Sequence, residues 1–428
     1  MAKNIFVKLS IRNILIFAFI IRIILLPLSF HGDVQVNYLW GKSLSIFDWN
    51  GFYENINHNN YYPPDQPMLI LIYDWTINIV FKYLSKTLYF LYSNTGLFSS
   101  RYIYWFFENG NQILLKFPML IADILIIYFS YRFTLEKFSL NKAKIISVIL
   151  SLYLPYTYNS SLWGSGDSII NLFALGSIYL FYQKKHVLPV IFYLTSIFFK
   201  PTLLIWFPII LIILIKQRTP ILKSTLMLTV GVICLYIIST PFTNSIPLIW
   251  LFHTIKNQII FGSLDYLTVN AMNLWALIYG FGTSSDTHLI KEILSIRDIS
   301  LFICLFFYLI IIKNLYFSFN LKNVLLSMSQ VTLVTFSFMT RMHERYSYSS
   351  LLPLLMLCLY DAKYIKYFVI FTITHTLNII YSWWLPILNP IAEFIAFEKN
   401  IVIISIINVL CTICLVFTNS KYRLNGKK

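Results

Sequence analysis

Long apolar stretches with hardly any charge recur along this chain, and they constrain its fold more than any other feature. Residues 14–30, 203–215, 299–312 and 401–417 carry one charged side chain at most. A helix needs about 20 mostly apolar residues to span a lipid bilayer. Only 12% of the residues are charged, against about a quarter in a typical soluble domain. The sequence therefore excludes a water-soluble fold and predicts an all-α, polytopic transmembrane helical bundle.

The basic residues indicate the orientation of this bundle. Lys and Arg number 33 against 17 Asp and Glu, a net charge of +16, but they form short clusters between apolar segments, as cytoplasmic loops do. This pattern favours the membrane as the partner and argues against nucleic acid. The clusters predicted to be cytoplasmic are the N-terminus, 132–144, 184–185, 216–223, 313–322, 363–366 and 421–428.

If the chain crosses the membrane and returns between consecutive clusters, it has about twelve spans, with both termini in the cytoplasm. The first stretch lacks a small-residue cleavage site, so it is predicted to be a retained helix rather than a signal peptide. The predicted spans are 13–30, 112–133, 143–157, 168–183, 187–199, 201–216, 224–240, 298–315, 322–340, 347–361, 364–382 and 400–418.

The same topology predicts one integral membrane domain over 1–428 with two long extracytoplasmic segments, 31–111 and 241–297. Since the cytoplasmic segments are short, chemistry is expected outside. The apolar segment 62–82 is interpreted as a helix on the outer interface, because counting it as a span would require 87–106 to cross as well. We expect the plasma membrane if the source is prokaryotic and the endoplasmic reticulum if it is eukaryotic.

The first polar group outside the membrane is His31-Gly32-Asp33, directly after the first span. A carboxylate at a helix exit could act as a general base on an acceptor hydroxyl. The simpler interpretation is that Asp33 marks the water boundary. Two further groups are Tyr61 to Pro67, in which paired prolines precede a helix, and Trp163 to Ser168, in which Asp167 could cap the next helix.

Two cationic features are harder to explain by structure alone. Lys200 lies between two apolar runs, where an ammonium group needs an anion or the interface, so its partner is either a lipid phosphate or a structural group. Arg341-Met342-His343-Glu344-Arg345-Tyr346 interrupts two apolar helices. Guanidinium groups offer paired donors to phosphate oxygens, so this string favours a phosphate site over a solvated loop.

Two ionisable residues are predicted inside spans, Arg22 and Asp123, and they are expected to form a structural ion pair. No metal site is predicted. The five cysteines lie inside apolar segments, a placement that indicates neither a disulfide framework nor a zinc site: Cys234, Cys304, Cys358, Cys411 and Cys414.

Taken in order, these groups resemble the GT-C superfamily of polytopic glycosyltransferases, particularly the prokaryotic proteins related to the second mannosyltransferase of GPI-anchor synthesis. The resemblance covers about residues 31 to 346 and includes Val269-Asn270-Ala271-Met272-Asn273-Leu274-Trp275. The chain departs from the family at Ser165-Gly166, where relatives often carry a glutamine and a small or polar residue. Gln35 replaces the last residue of an Asp-x-Asp motif, which fits the metal-independent members better.

The resemblance implies an inverting hexosyltransferase, with mannose favoured, that uses a polyprenyl- or dolichyl-phosphate sugar as donor and a lipid or glycan as acceptor. It implies no cofactor and leaves a partner subunit open. Asp33 would be the base, and Lys200, Arg341 and Arg345 would contact the donor phosphate. The residues expected to bind or orient substrate are His31, Tyr62, Trp163, Asp167, Asn270, Asn273, Trp275, His343, Glu344 and Tyr346.

Two alternatives remain open at this level. A transporter or flippase of lipid-linked sugars would need similar phosphate contacts, together with polar residues along a path through the inner half of the bundle. An O-antigen-type polymerase or ligase would also use the arginines, but the early aspartate fits it less well.

Overall fold

The computed structural model describes residues 10–418 except 47, 56–63, 261–264, 283, 291–292 and 385. The described chain is almost entirely helical, as predicted. The helices up to residue 260 are α1 (Ile11–Leu25), α2 (Gly32–Leu44), α3 (Phe52–Asn55), α4 (Met68–Thr95), α5 (Ser100–Lys137), α6 (Leu140–Ser151), α7 (Leu154–Thr157), α8 (Asp167–Tyr182), α9 (Val187–Phe199), α10 (Phe207–Lys216), α11 (Ile221–Ser239) and α12 (Pro247–Thr254).

The remaining elements include one short antiparallel pair of strands. They are α13 (Leu274–Tyr279), β1 (Leu289–Ile290), β2 (Leu294–Ser295), α14 (Ile296–Phe317), α15 (Leu321–Phe338), α16 (Leu351–Tyr360), α17 (Ile365–Ser382), α18 (Asn389–Ala396) and α19 (Glu398–Phe417). Short 3-10 turns extend several helices, and π-helical turns cover Tyr158–Trp163 and Ile255–Ile260.

Eleven of the twelve segments predicted as spans coincide with a helical run, usually within a few residues, whereas 143–157 is divided between α6 and α7 by a break at Leu152 and Tyr153. Local signals fix several helix starts. For example, Ser295 and Asp298 form a reciprocal capping box at the start of α14, which satisfies two backbone N–H groups that would otherwise lack partners.

Among the described residues, six helices are long and apolar enough to cross a membrane, so the chain is a helical membrane protein. They are Ile11–Leu28, Met68–Thr95, Ser100–Lys137, Thr225–Phe242, Ile296–Phe317 and Glu398–Phe417. Four shorter apolar helices fall below this length: Asp167–Tyr182, Val187–Phe199, Pro201–Lys216 and Tyr348–Tyr360.

The segment interpreted as an interfacial helix differs from expectation. The helix begins at Met68 and continues to Thr95, and at 28 residues it is itself one of the six candidate spans. Its C-terminal end is set by Gly96, whose φ of +64° stops the helix. The predicted span 112–133 is the central part of a longer helix, the 38-residue α5.

The chain divides into two compact units. Unit 1 contains Met1–Leu203 and Pro220–Ser263, and unit 2 contains Leu204–Thr219 and Leu264–Lys428. In unit 1, α5 packs against α1, α6 and α8, while α2 packs on α4. In unit 2, α15 packs against α14, α16 and α19.

The predicted ion pair inside unit 1 is confirmed. Arg22 and Asp123 are both buried, and Nε of Arg22 donates to Oδ2 of Asp123 at 3.1 Å. The guanidinium also donates to the carbonyls of Ala18, Leu150 and Ser151. Because a buried charge is costly unless it is paired and hydrogen-bonded, this arrangement holds α1, α5 and α6 together.

Candidate functional site

Several polar residues of unit 1, most of them singled out by the sequence, are linked to Asp33 by direct contact or through the charge effects on Asp65. We call the group of His31, Asp33, Asp65, Trp163, Asp167 and Lys200 the Asp33 cluster. Asp33 lies in the first turn of α2, and 42% of its side chain is exposed. It is therefore held at the start of a helix, where the backbone N–H groups stabilise a negative charge.

Trp163 fixes the carboxylate of Asp33, and His31 fixes its backbone. The indole Nε1–H of Trp163 donates to Oδ2 of Asp33 at 3.0 Å, and the rings of His31 and Trp163 stack with centroids 4.0 Å apart. The backbone N–H of Asp33 donates to Nδ1 of His31 at 3.0 Å. This bond leaves the ring proton on Nε2, so the 3.4 Å approach of Nδ1 to Oδ1 of Asp33 is a contact of two acceptors.

Trp163 is placed by the turn that follows it. Trp163 is buried and ends the π-helical turn, and Gly164 adopts a left-handed conformation with φ of +81°. A Cβ atom on Gly164 would lie 2.6 Å from Cγ2 of Val34 and 2.7 Å from Cγ of Lys116. Only glycine therefore lets this turn approach the start of α2 closely enough for the indole to reach Asp33.

Lys116, for which the sequence suggests no role, supports the same region from α5. It is fully buried, and its Nζ donates to the carbonyl oxygens of Leu26 at 2.7 Å and Ser29 at 2.9 Å. These carbonyls belong to the end of the first apolar helix and the linker to α2. Lys116 thus positions the segment that carries His31 and Asp33.

Lys200 and Asp167 form a buried ion pair, with Nζ 3.2 Å from Oδ1. Of the two partners proposed for Lys200, the structure places an acidic side chain beside it. The expectation that Asp167 caps α8 is wrong, because the capping position is Gly166 and Asp167 lies in the first helical turn. From there its carboxylate reaches the lysine.

Asp65 is the site residue that the sequence reasoning missed, although it belongs to a motif singled out there. It keeps access to solvent, yet protein atoms surround it on most sides. This crowding raises the pKa of the Asp65 carboxyl; Gln66 and Lys200 oppose the rise, and Asp33 adds to it. Asp33 and Lys200 therefore both act electrostatically on the Asp65 carboxyl. Tyr62, the residue chosen from this motif, lies outside the described residues.

The second set of predicted site residues lies in unit 2, and Arg341 there is engaged by an acidic residue. Its Nε and Nη2 donate to both carboxylate oxygens of Asp286 at 2.8 Å, and Thr340 Oγ1 donates to the same carboxylate. Asp286 is fully buried. Arg341 has a φ of +61°, a conformation that is unusual for a residue with a side chain.

Arg345 is paired within the same turn. Its Nη1 donates to Oε1 of Glu344 at 2.6 Å, so these two side chains form an ion pair. His343 approaches Glu344 at 3.9 Å, and its ring lies 5.0 Å from that of Tyr346. The roles of Arg341 and Arg345 as phosphate contacts stay predictions.

Asn270, Asn273 and Trp275 anchor a loop in unit 2. Asn273 is fully buried; it caps α13 and donates to the carbonyls of Phe336 and Met339 at the end of α15. The indole of Trp275 donates to the carbonyl of Phe338 at 2.9 Å. Asn270, with φ of +58°, pairs with the backbone of His343. These contacts are structural, and the substrate roles of the three residues stay predictions.

Within the described parts of the chain, no three His, Cys, Asp or Glu side chains lie close enough to hold a metal ion. In comparisons with known proteins, no family model matches this chain and no curated protein matches it significantly.

Proposed function

We propose that this protein is a membrane glycosyltransferase that moves a hexose, mannose in the first place, from a polyprenyl- or dolichyl-phosphate donor to a hydroxyl acceptor. The observation that carries the proposal is the half-exposed Asp33 carboxylate, which is held by the indole of Trp163, on the turn that leads to Asp167 and its ion pair with Lys200. A base and a cation in one cluster are what glycosyl transfer from a lipid phosphate requires.

In the proposed mechanism, Asp33 accepts the proton of the acceptor hydroxyl while the oxygen attacks the anomeric carbon from the face opposite the lipid phosphate. The bond from this carbon to the phosphate oxygen breaks, the configuration inverts, and the phosphate leaves with the bonding electron pair. Lys200 stabilises the charge on that leaving group. The hydrogen bond from Trp163 holds Oδ2 of Asp33 in place while Oδ1 accepts the proton, so the carboxylate need not reorganise during proton transfer.

We also propose the finer topology. Five of the six long helices (all but Met68–Thr95), the four shorter ones, and the helical segments 140–157, 321–338 and 365–382 cross the membrane, giving about twelve spans of a GT-C-like bundle with both termini in the cytoplasm. The segments 31–111 and 241–297 then face the extracytoplasmic side of the plasma membrane or the endoplasmic reticulum. The placement of Lys and Arg between the helices supports this orientation.

The test is transfer of labelled sugar from polyprenyl-phosphate mannose and glucose, with wild-type protein and Asp33→Asn in the same membranes. Asparagine keeps the size of the side chain and an acceptor for the Trp163 indole, but it cannot take a proton at neutral pH. Loss of a general base lowers the rate about 10²- to 10⁴-fold. Asp48→Asn is the matched control, since Asp48 is an exposed aspartate that caps the adjacent turn.

Transfer that survives a chelator and is lost in Asp33→Asn but not in Asp48→Asn supports the proposal. Full activity of Asp33→Asn contradicts the assignment of the base. Movement of the labelled lipid across the bilayer without transfer identifies a flippase instead.

A further inference from the structure

The N-terminal end of α4, which follows Asp65 in the sequence, packs directly beside the Asp33 cluster. A Cβ atom on Gly166 would lie 3.1 Å from Cε1 of Phe199 and 3.9 Å from Cδ1 of Ile70. The rings of Tyr73 and Phe199 also meet, with centroids 5.6 Å apart. The first turns of α4 therefore lie against the turn before Asp167 and the helix end before Lys200, and Asp65 lies just ahead of them.

The backbone around Asp65 is well held. Pro64 and Pro67 are buried and restrict the chain on both sides. The hydroxyl of the buried Tyr53 donates to the carbonyl of Gln66 at 2.6 Å, and Nε2 of Gln66 donates to Oδ1 of Asp65 at 3.1 Å. An exposed carboxylate with a fixed backbone and a bonded oxygen is pre-organised to bind a ligand.

Aromatic rings continue from Tyr53 away from Asp65. The ring centroid of Tyr53 lies 5.9 Å from that of Phe242 and 5.5 Å from that of Trp250. The ring centroid of Trp49 lies 5.0 Å from that of Trp75 and 5.3 Å from that of Phe242. The three tryptophans are half-buried, so they keep apolar faces accessible. Apolar ring faces beside fixed polar acceptors are the usual composition of a small-molecule site.

The carboxylates of the cluster differ in their access to solvent and so in their ability to bind a ligand. Asp167 is buried and paired with Lys200, whereas Asp33 and Asp65 both reach solvent. Two accessible carboxylates repel a phosphate but accept hydrogen bonds from hydroxyl groups. This part of the site therefore suits a molecule that carries several hydroxyls.

We infer that Asp65 is a substrate-contacting residue that binds hydroxyl groups of a carbohydrate acceptor, while Asp33 acts on the acceptor's reactive hydroxyl. This inference rests on the proposed function and names its acceptor class. A plain lipid alcohol has one hydroxyl and leaves Asp65 without a ligand. A sugar offers a second hydroxyl, and a site that binds such a group discriminates strongly against molecules lacking it.

The experiment compares octyl mannoside and octyl glucoside with octanol as acceptors, using the donor that the wild type accepts. We expect transfer to an octyl glycoside and little to octanol. Asp65→Asn should raise KM for the glycoside and Asp65→Ala should raise it further, about 10-fold or more, since a hydrogen bond to a charged group is lost. The kcat should stay within about threefold. Asp48→Asn should leave both constants unchanged.

The other outcomes separate the two proposals. Equal transfer to octanol overturns the carbohydrate acceptor, and unchanged KM in both Asp65 variants overturns the role of Asp65, while the proposed function stands in each case. A loss of kcat with unchanged KM overturns acceptor binding by Asp65. If the wild type transfers sugar to none of these acceptors or to membrane lipids, the proposed function fails, and this inference fails with it.

Discussion

Replacing Gly164 by alanine tests whether the close approach of the Trp163 turn to α2 shapes this part of the fold. Gly164 combines two constraints, a φ of +81° and a Cβ direction that points at two side-chain atoms less than 3 Å away. Neither atom moves easily. Val34 is buried in α2, and Lys116 is tied by its ammonium group to two carbonyl oxygens.

The expected cost follows from these two terms. A left-handed conformation costs a residue with a side chain about 1–2 kcal/mol, and overpacking a tight site costs about 1–3 kcal/mol. The reduced entropy of the unfolded chain returns about 0.4–1 kcal/mol. The free energy of unfolding should therefore fall by about 1–4.5 kcal/mol for Gly164→Ala.

Two other glycines separate the terms. Gly96 has a φ of +64° but no atom within 4 Å of a Cβ, so Gly96→Ala carries the conformational cost alone and should lose about 1.5 kcal/mol or less. Gly32 has neither constraint and lies at the start of α2, so Gly32→Ala should be neutral or slightly stabilising.

The assay is thermal unfolding of the three variants and the wild type in one detergent at one scan rate, since membrane proteins often unfold irreversibly. The expected order of Tm is Gly32→Ala, then Gly96→Ala, then Gly164→Ala well below both. If Gly164→Ala unfolds at the same temperature as Gly96→Ala, the steric part of the reasoning is refuted.

Three further perturbations probe buried and crowded charges. Asp123→Asn should destabilise unit 1 by about 3–5 kcal/mol, because it leaves the Arg22 guanidinium buried without its counter-charge; an unchanged Tm would contradict this. Asp286→Asn should lower Tm clearly more than Asp361→Asn, whose lysine partners are partly exposed; equal losses would refute the importance of burial. The pKa of Asp65 is raised in the folded protein. The contribution of Asp65 to stability is therefore complete at pH values below the ordinary carboxyl pKa and is lost as the pH rises through the raised pKa. Over this pH range the Tm of the wild type should fall relative to the Tm of Asp65→Asn, and parallel curves of Tm against pH would show that crowding does not affect Asp65 in this way.

The helices were predictable because their signal is local. An apolar run bounded by basic or polar residues identifies a helix wherever it occurs, and the ends of α8, α9 and α14 lie within a few residues of prediction. Whether such a helix crosses a membrane is a weaker inference. The segment 62–82 is predicted to be interfacial because counting it as a span would require 87–106 to cross as well, yet the helix runs on to Thr95.

The partners of the predicted site residues in each unit were much less predictable. The bond between Asp33 and Trp163 joins residues 130 positions apart, and Arg341 meets Asp286 across 55 positions. No local pattern carries that information. Arg22 and Asp123 were paired correctly because a membrane leaves a buried charge few partners to choose from.

The interleaving of the two units has a consequence for how this chain can be cut and how it is made. The stretch 204–219 belongs to unit 2 but is synthesised before unit 1 is complete. Trp206 in this stretch donates its indole N–H to Thr332, more than a hundred residues later. During synthesis this helix is therefore made before the helices of unit 2 that it packs against, and the last part of unit 1 is synthesised in between. No single cut of the chain yields either unit whole, and a fragment that starts at residue 264 would lack one of its own interior helices.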